Sequence, residues 1–514
     1  MLIRTLGAKC VGIDAAIVTV ETHIDKGIGI HLVGLADVAV KESLLRTTTA
    51  LQAIGYHIPG KRIIINLAPA DIHKNGSGYD LPIAVGIIAA SEQCELPLAE
   101  RMLLMGELGL DGSVRDVPGG LAVAELVGRE GLDGIVLPVC SAQEAAELEG
   151  TRVYGVDNLM DVVRILSGRE DCSECLTRPL PSAGASMTDI PDFGDILGMG
   201  SVKRGMEIAA GGAHNVAMVG PPGSGKSSLA KALSGILPPM TREESLVTSK
   251  IFSIAGKGNL RHGLMGQRPF RAPHYSASLA AIIGGGAGDN IMPGEVSLAQ
   301  NGVLFLDEAA QMPRNVIEAL RGPMEDRKVV ISRLKAKVEY PASFMLVLAS
   351  NPCPCGYWGV GDRCTCTPSQ RLAYLSRLSG PIMDRIDLQL HVPSLPAADL
   401  ARIKAEGKRE ESSAEVAKRV AAAREIQKRR FAGTGIFTNS EMNNKQIERY
   451  CPLTEDCSDL LISLMEKLGL SMRAYFRIIK VARTIADLEG CPAILQRHIS
   501  EAAAYRFLDR MPVL

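Results

Sequence analysis

One short segment constrains the fold of this chain more than any other. An apolar run at residues 215–219 is followed by the octapeptide Gly-Pro-Pro-Gly-Ser-Gly-Lys-Ser and by a helical pattern that reaches residue 237. The octapeptide matches G-x-x-x-x-G-K-[ST] in the strand-to-helix context that this motif requires. Glycines let backbone N–H groups surround phosphate oxygens, and the N-terminus of the following helix adds a favourable dipole. We therefore predict a nucleotide-binding α/β domain with phosphate contacts from Gly220, Pro221, Pro222, Gly223, Ser224, Gly225, Lys226, Ser227 and Ser228.

A second motif, Gly-Val-Leu-Phe-Leu-Asp-Glu at residues 302–308, predicts a buried strand that ends in two carboxylates. Lys226 is placed to reach the β- and γ-phosphates and the Ser227 hydroxyl to bind Mg²⁺, so Asp307 fits the Mg²⁺ shell. Glu308 fits the general base that polarises the attacking water. A capping pair at a strand end is the alternative, and it is the weaker one beside a phosphate-binding loop.

Two further polar side chains follow later strand patterns. The run at residues 343–349 ends beside Asn351, whose amide would lie next to the γ-phosphate if its strand neighbours the phosphate-binding strand. Arg385 lies in Met-Asp-Arg-Ile-Asp-Leu, near the end of the α/β region. An arginine supplied by a neighbouring subunit can stabilise a phosphate during its transfer. From spacing alone, Arg385 is no better a candidate than an ordinary ion-pair arginine.

The chain of 514 residues is long enough for about three domains. Residues 1–167 alternate strand and helix patterns, although the apolar run at residues 81–90 fits a buried strand or a buried helix equally well. Residues 168–191 are rich in Pro, Ser and Gly and are predicted to be a linker. Residues 192–395 show the α/β pattern, and residues 396–514 are rich in Ala, Arg and Glu and predict a helical domain.

Composition narrows the class of partner. The chain carries 56 Lys and Arg against 57 Asp and Glu, so its net charge of -1 excludes a surface that is cationic throughout, but not a local basic groove. The N-terminal residues alternate apolar and polar types without an export-signal pattern, and the longest apolar runs are too short to span a bilayer. We therefore expect a soluble, cytoplasmic protein with reduced cysteines and no membrane partner.

Four of the 12 cysteines form a cluster, in which C-x-C is followed after eight residues by a second C-x-C. Four thiolates this close predict a structural, tetrahedral Zn²⁺ site with no position open for catalysis, held by Cys353, Cys355, Cys364 and Cys366. Reduced thiols without a metal are the alternative. Cys172 and Cys175 stand in a polar stretch without a second pair nearby, and we expect them to be surface thiols.

Several longer motifs carry a family resemblance that covers essentially the whole chain. They are GLADVAVKESLLR, INLAPADIHKNGSGYDLPIA, RPFRAPHYSAS, PGEVSLAQNG, LFLDE, LASN, SGPIMDRIDL and SMRAYFRIIKVARTIADL. In these motifs, and in the order of its domains, the chain resembles the YifB/ComM family of Mg-chelatase-like AAA+ ATPases. The resemblance implies a hexameric bacterial ATPase that uses ATP and Mg²⁺. The best understood members of the family are DNA helicases that act on branched DNA during natural transformation.

The resemblance also implies roles for individual residues. Asn351 corresponds to sensor 1, Arg385 to an arginine finger that acts on the neighbouring subunit, and Arg473 to the sensor 2 arginine. Arg477 lies one helical turn after Arg473, on the same helix face, and is the rival for the sensor 2 role.

By the same resemblance, two hairpins are expected to point into the pore of a ring, as they do in related replicative helicases. The long separation between the phosphate-binding loop and the Asp-Glu pair fits a helix-2 insertion with a glycine-rich tip at residues 284–288. A second hairpin is predicted from residues 328–333 and 337–340. Three cations at its tip would bind DNA phosphates, with a solvated charged turn as the alternative: Arg333, Lys335 and Lys337.

The N-terminal region resembles the S5-type α+β fold of Lon proteases through GELGLDGSVRDVPGGLAVAEL. Lon proteases use a Ser–Lys pair, but here Gly78 stands where the nucleophile belongs, Ser77 is one residue early and Ala124 replaces the lysine. A serine without an amine base is a poor nucleophile, so we expect a binding and assembly platform and no peptidase. Three basic residues there would contact DNA or be ordinary surface charge: Lys61, Arg62 and Lys74.

Two functions fit these observations. The leading prediction is a ring-forming, ATP-driven DNA motor with helicase or branch-migration activity in transformation or recombination, with DNA, further copies of the chain and recombination proteins as partners. The alternative is a chelatase-type motor that remodels a protein partner for metal insertion. Such a motor normally needs an integrin-type partner, and this chain has no D-x-S-x-S sequence of that kind. The basic helix predicted at residues 417–430 either contacts DNA or solvates the C-terminal domain.

Overall fold

The computed structural model describes residues 2–34, 37–70, 74, 76–169, 171–180, 190–257, 263–286, 291–333, 337–378, 380–394, 410–506 and 508. Lys335, one of the three predicted hairpin cations, lies outside these residues. So do residues 181–189 of the predicted linker and residues 287 and 288 of the glycine-rich tip. No helix among the described residues is long and apolar enough to cross a membrane.

The N-terminal region is built on a mixed sheet. Its strands are β1 (Leu2–Val11), β2 (Asp14–Asp25), β3 (Gly29–Val33), β4 (Arg62–Ala68), β5 (Met102–Leu104), β6 (Glu107–Leu108), β7 (Val114–Arg115), β8 (Gly134–Pro138) and β9 (Val153–Val156). Seven of them form one sheet in the order β3-β4-β2-β1-β5-β8-β9, and β6 and β7 form a separate ribbon. β2 runs antiparallel to both β1 and β4, and the other neighbours in the large sheet are parallel.

The apolar run at residues 81–90 forms a helix, which resolves the ambiguity left by the sequence. The helices of this region are α1 (Val38–Ala53), α2 (Asp80–Ala90), α3 (Gly120–Glu130), α4 (Val139–Ala145) and α5 (Leu159–Ser167). α2 is buried along nearly its whole length and packs against α1, β1 and β2. A segment that is apolar on all sides suits a helix that is covered on all sides, which is why periodicity did not identify it.

The central region is a parallel α/β sheet. Its strands are β10 (Val216–Val219), β11 (Phe270–Arg271), β12 (Gly284–Gly285), β13 (Met292–Pro293), β14 (Val303–Leu306), β15 (Lys328–Ser332), β16 (Lys337–Pro341), β17 (Met345–Ser350) and β18 (Leu388–His391). The sheet has the order β11-β14-β17-β10-β18, and every neighbouring pair is parallel. β10, β14 and β17 are buried throughout, as expected for strands covered on both faces.

The helices of the central region are α6 (Gly200–Gly212), α7 (Lys226–Ser234), α8 (Arg242–Ile254), α9 (Leu279–Ile283), α10 (Glu295–Leu298), α11 (Arg314–Ala319), α12 (Arg321–Asp326), α13 (Pro368–Leu375) and α14 (Gly380–Met383). Two hairpins stand outside the sheet, β12 with β13 and β15 with β16. They lie side by side, since a Cβ at Gly285 would be 3.5 Å from the guanidinium of Arg333. The predicted second hairpin is therefore present, and its neighbour is the β12–β13 hairpin, which contains residues 284 and 285 of the predicted glycine-rich tip.

The C-terminal region is helical. Its helices are α15 (Ser413–Arg430), α16 (Asn444–Tyr450), α17 (Glu455–Leu468), α18 (Met472–Leu488) and α19 (Gln496–Ala504). α15 and α18 both pack against α6 and against each other. One hydrophobic core runs from the central sheet into these helices, so the two regions share their packing.

Part of the segment predicted to be a linker packs on the N-terminal region. Residues after α5 stay with the N-terminal region, because the Thr177 amide donates to the Val153 carbonyl oxygen at 2.8 Å. Cys172 is buried in the core of that region, so the prediction of a surface thiol is wrong for Cys172, while Cys175 is half-buried. The sequence of this stretch did not predict that it packs on the N-terminal region, because it is mostly polar and its apolar side chains are too few to show a periodic pattern.

The N-terminal region packs on helix α8 of the central region. The Gly119 amide donates to the Ser253 hydroxyl at 3.0 Å, and Lys250 forms an ion pair with Glu125. A second contact joins the β1–β2 turn to the β15–β16 hairpin, since a Cβ at Gly12 would lie 3.0 Å from the Glu339 carbonyl oxygen. The N-terminal region therefore contacts both helix α8 and the β15–β16 hairpin.

Candidate nucleotide site and zinc centre

The phosphate-binding loop joins the end of β10 to the start of α7. A Cβ at Gly220 would lie 2.1 Å from the Val392 carbonyl oxygen, so only glycine fits there. Gly225 has a φ of +84°, in the left-handed region that favours glycine, and it turns the chain directly into the first residue of α7. Sequence and backbone therefore agree on a phosphate-binding loop that leads into a helix N-terminus, where an anion is favoured.

The acidic pair and Asn351 meet this loop at the carboxyl edge of the sheet. β17 lies between β10 and β14 and is parallel to both, so the residues that follow the three strands come together. Asn351 was predicted to lie next to the γ-phosphate if its strand neighbours the phosphate-binding strand. That strand, β17, pairs directly with β10 through Ser350 and Val219. Lys226 Nζ donates to Asn351 Oδ1 at 3.3 Å, which brings two of the predicted residues into contact.

Lys226 is the buried cation of the site and is only 8% exposed. Its Nζ also donates to the carbonyl oxygens of Gly220 at 2.7 Å and Pro221 at 2.9 Å. Burial lowers the pKa of Lys226, and the carboxylates of Asp307 and Glu308 counteract that effect. A phosphate that enters the loop would replace the two carbonyl groups as the acceptor of this ammonium.

Ser227 and Asp307 form the pair that could hold Mg²⁺. The Ser227 hydroxyl donates to Asp307 Oδ2 at 2.9 Å. Both side chains offer hard oxygen ligands, and Mg²⁺ usually takes only one or two such protein ligands together with phosphate and water. The donor set therefore fits Mg²⁺ bound with a nucleotide.

Glu308 follows directly and has an unusual backbone. Its φ of +50° lies in the left-handed region, which non-glycine residues rarely adopt, and its amide donates to Asp307 Oδ1 at 2.9 Å. Such conformations concentrate at functional sites. The Glu308 carboxylate lies close enough to counteract the lowering of the pKa of Lys226 by burial and to contribute to the raised pKa of Tyr374. It is thus a charged group inside the site, as a general base needs to be.

Arg385 does not lie with these residues. It precedes β18, and the Asn215 side chain at the start of β10 donates to its carbonyl oxygen at 3.2 Å. Because β10 and β18 are parallel, their starts lie at the edge opposite the phosphate-binding loop. The guanidinium donates to the Pro381 carbonyl oxygen at 2.5 Å and forms an ion pair with Glu325. Within one chain, the length of β10, roughly 13 Å, separates Arg385 from the nucleotide site.

Arg473 and Arg477 lie at the same far edge. Arg473 pairs with Asp384 at 3.0 Å and its side chain is 66% exposed. Arg477 donates to the Asp384 carbonyl oxygen at 2.5 Å and pairs with Asp387, with its side chain 22% exposed. Burial opposes ionisation of Asp387, but Arg477 and His214 hold its pKa below the usual range. Arg477 is therefore committed to a buried ion pair, and Arg473 is the arginine that faces outward.

The four clustered cysteines converge. Cys353 Sγ lies 3.3 Å from Cys355 Sγ and 3.8 Å from Cys364 Sγ, and all four sulphur atoms, with that of Cys366, lie within 4.8 Å of one another. In a tetrahedral site with Zn–S distances of about 2.3 Å, sulphur atoms are about 3.8 Å apart. The Tyr357 amide lowers the pKa of Cys355 to about 6, so one thiolate forms readily. The donor set and its spacing fit Zn²⁺.

The cysteine loop contacts the nucleotide site from two sides, which sequence reasoning did not anticipate in detail. A Cβ at Gly356 would lie 2.7 Å from the Pro222 ring, so the loop rests on the phosphate-binding loop. Helix α13 follows the last cysteine and places Tyr374 close to Ser350 of β17, whose hydroxyl counteracts the rise in the pKa of Tyr374 that burial causes. Sequence alone gave no signal for Tyr374, because an aromatic residue at helical spacing resembles any core residue.

The hairpin of β15 and β16 presents its basic residues to solvent. Arg333 and Lys337 are both exposed, while Lys328 pairs with Glu339 at 3.1 Å near the base of the hairpin. The Tyr340 hydroxyl donates to the Ile291 carbonyl oxygen at 2.7 Å, which connects this hairpin to the residue directly before β13. Two of the three predicted cations are therefore placed on an exposed hairpin tip.

Comparison with known proteins assigns the family. The sequence model described as magnesium chelatase, subunit ChlI, matches residues 192–400. Models described as subunit ChlI of Mg-chelatase and as the C-terminal part of that subunit match residues 20–141 and 410–506. The chain is 44% identical to YifB of Salmonella typhimurium over 506 residues, with 97% of this chain and 96% of that protein covered. This chain belongs to the YifB/ComM family of Mg-chelatase-like AAA+ proteins.

Other members of the YifB/ComM family are similarly close. The chain is 43% identical to competence protein ComM of Haemophilus influenzae over 502 residues, with 97% of this chain and 96% of that protein covered. It is 42% identical to YifB of Escherichia coli over 504 residues, with the same coverage of each chain. The sequence-based assignment to this family and to a mixed α/β fold with a helical C-terminal region is confirmed.

The N-terminal region of this family member has no Ser–Lys pair at the position that Lon proteases use. The Ser77 hydroxyl donates to the Glu107 carboxylate, and Ala124 is fully buried in α3. Lys74 is fully buried and donates to the Pro69 carbonyl oxygen, so the prediction that Lys74 contacts DNA is wrong. Arg62 pairs with Asp25 at 3.1 Å on the surface.

The basic helix α15 uses several of its arginines internally. Arg424 donates to the Ala210 carbonyl oxygen at 2.8 Å, and burial lowers its pKa to about 10. Arg430 pairs with Asp487, and Arg419 pairs with Glu207 and Glu411. These arginines therefore contact α6 and other protein groups instead of only solvating the C-terminal region.

Proposed function

We propose that this chain is an ATP-hydrolysing motor that acts on DNA as a ring of identical subunits. Membership of this AAA+ family implies an ATPase in general. One observation supports the ring: the phosphate-binding loop and the arginines Arg385 and Arg473 lie at opposite edges of one sheet. A site that uses all of them is completed only when the arginine edge of one copy faces the loop of the next. Such head-to-tail contacts close into rings, and a hexamer is the form we propose.

In the assembled site, the groups of one chain bind ATP and activate water. Lys226 contacts the β- and γ-phosphates, and Ser227 and Asp307 hold Mg²⁺, which neutralises negative charge on the phosphates. Glu308 accepts the proton of the attacking water. Asn351, already within reach of Lys226, keeps that water and the γ-phosphate in register.

The arginines of the neighbouring copy complete this site. Arg385 places positive charge against the γ-phosphate in the transition state, where a water-excluded environment makes that charge most effective. Arg473 is our choice for the sensor 2 role, because it is exposed while Arg477 is held by Asp387. Both assignments require a second copy, since neither arginine reaches the loop of its own chain.

The exposed hairpin tip supports DNA as the substrate. Arg333 and Lys337 are exposed, and Arg333 lies beside the β12–β13 hairpin. Lys335 lies between them in sequence. In a ring these cations repeat around the pore, where they bind phosphates without reading bases. The name of competence protein ComM links that relative to competence, which supports a role for this chain in transformation or recombination beside recombination proteins. ATP and DNA meet in the cytoplasm, where we propose that the protein acts.

We also propose that Cys353, Cys355, Cys364 and Cys366 bind a structural Zn²⁺. The sulphur spacing supports this, and four protein ligands leave no position open for catalysis. The loop that they close rests on Pro222 of the phosphate-binding loop. Zinc would therefore keep one wall of the nucleotide site in place.

A chelatase-type motor that remodels a protein partner is the second candidate, because the matching family models are named for the magnesium chelatase subunit ChlI. The two functions differ in the activator of ATP hydrolysis.

We expect four-way-junction or forked DNA to stimulate the ATPase of the purified protein, and the double substitution Arg333→Ala and Lys337→Ala to remove that stimulation. Lys445→Ala, an exposed cation of the C-terminal region, is the matched control. Unstimulated hydrolysis without strand displacement would reject the DNA motor and favour the remodelling function.

A further inference from the structure

One carboxylate controls where Arg385 lies. The Arg385 side chain is 10% exposed and pairs with Glu325, whose own side chain is 60% exposed. Apart from this pair, the guanidinium donates to the Pro381 carbonyl oxygen, and its Nε is buried without a hydrogen-bond partner among the described residues. Among the described residues, Glu325 therefore provides the one ionic contact that holds Arg385 in its inward position.

Glu325 is joined to the β15–β16 hairpin without an intervening loop. It lies in α12, which ends at Asp326, and β15 begins at Lys328. Between them Arg327 has a φ of +53° and pairs at 2.7 Å with Glu441 of the C-terminal region. We call residues 325–327 the hairpin root. Two residues thus separate Glu325 from the first residue of the hairpin.

We propose that Glu325 is a positioning residue that retains Arg385 within its own subunit until DNA displaces the hairpin. This inference rests on the proposed function, in which Arg385 acts on the neighbouring subunit. DNA phosphates bound at Arg333 and Lys337 pull on β15, Glu325 moves with the hairpin root, and Arg385 is released toward the interface. DNA binding in the pore thereby sets the fraction of subunits with a complete site.

The test is steady-state ATP hydrolysis by the full chain, with and without four-way-junction DNA. For Glu325→Gln we expect kcat without DNA to rise roughly 2- to 5-fold, the factor that corresponds to the loss of one partly exposed ion pair. The KM for ATP should not change, and DNA should stimulate the variant less than the wild type. Asp326→Asn removes the neighbouring negative charge of the same helix and should behave as the wild type. Glu325→Gln combined with Arg385→Ala should be as inactive as Arg385→Ala alone.

The outcomes separate this inference from the proposed function. If Arg385→Ala is inactive but Glu325→Gln has the kcat and DNA response of the wild type, Glu325 has no positioning role and the proposed function stands. A Glu325→Gln protein with a lower kcat would equally overturn the inference, because Glu325 would then support the active position of Arg385. Normal hydrolysis by Arg385→Ala would overturn both.

Discussion

At the scale of single residues, Lys226 is held ready for a ligand by the loop that surrounds it. Its ammonium is buried among two loop carbonyl groups and Asn351, with Asp307 and Glu308 nearby. A buried charge with neutral acceptors is costly unless a stronger partner arrives. Phosphate is such a partner, so the local electrostatics favour an anionic ligand at this position.

Lys226→Ala should abolish ATP hydrolysis, because the variant loses the contact to the β- and γ-phosphates. We expect a fall in kcat of about 100-fold or more, the scale on which removing a transition-state charge contact acts. Lys231→Ala changes an exposed lysine later in the same helix and should leave kcat unchanged. Comparable hydrolysis by the two variants would remove Lys226 from the site.

The residues of the nucleotide site could be predicted from the sequence where they belong to short motifs with a fixed spacing. The phosphate-binding loop, Asp307, Glu308 and Asn351 follow strands that the sheet then brings together. Glu325 and Tyr374 were not predictable, since their roles depend on partners 60 residues away and on a neighbouring strand. Lys74 was placed on the surface wrongly, because burial of a lysine leaves no trace in local sequence.

At the scale of elements, the loop that carries the four clustered cysteines contacts two walls of the nucleotide site. It touches Pro222 on one side and leads through α13 to Tyr374 on the other. Cys364→Ser should therefore reduce bound zinc and lower ATPase activity together, whereas Cys94→Ser, outside the cluster, should change neither. Metal analysis of both purified variants beside their ATPase rates is the measurement. Less than about half an equivalent of zinc in the wild type would contradict the site.

The contact between the N-terminal region and α8 contains a buried acid. The Ser253 hydroxyl of α8 and the Leu121 amide lower the pKa of Glu144 but only partly offset the effect of burial, and its Oε1 has no hydrogen-bond partner among the described residues. Burial raises the pKa of Glu144 from 4.5 to about 7. The unfolded chain therefore releases this proton at a lower pH than the folded one. The contribution of Glu144 to stability is complete below about pH 4.5 and is lost as the pH rises to about 7.

Glu144→Gln should remove this dependence, since an amide does not titrate. Relative to the variant, the wild type should lose stability between pH 4.5 and about 7, by roughly 3 kcal/mol at most, and then remain constant. Thermal unfolding across this pH range is the measurement. Glu149→Gln, an exposed position in the same region, is the control and should follow the wild type. Parallel curves for wild type and Glu144→Gln would show that the carboxyl is not protonated in the folded protein.

Secondary structure was predictable to the extent that its pattern was periodic. The strands around the phosphate-binding loop and the β15–β16 hairpin agree with their sequence patterns, with small differences at the ends. The secondary structure of the α2 segment was ambiguous in the sequence because all faces of this helix are buried. Residues 171–180, which were predicted to be part of a linker, pack on the N-terminal region. Tertiary packing decided both cases.

At the scale of the whole molecule, a near-neutral chain is compatible with a DNA motor because the relevant charge is local. The net charge is -1, yet Arg333 and Lys337 stand together on one exposed hairpin. A ring repeats such a pair in every subunit and directs it at one path. The same geometry leaves each isolated chain with its arginines at the wrong edge of the sheet for its own nucleotide.

The most direct test of this account mixes two inactive variants. Lys226→Ala lacks the phosphate contact but keeps Arg385, and Arg385→Ala keeps the loop but lacks the arginine. In mixed rings, about one interface in four pairs an intact loop with an intact arginine, so we predict that DNA-stimulated hydrolysis returns to roughly a quarter of the wild-type rate. A mixture that forms rings but stays inactive, or Arg385→Ala that hydrolyses ATP normally by itself, would contradict a site shared between subunits.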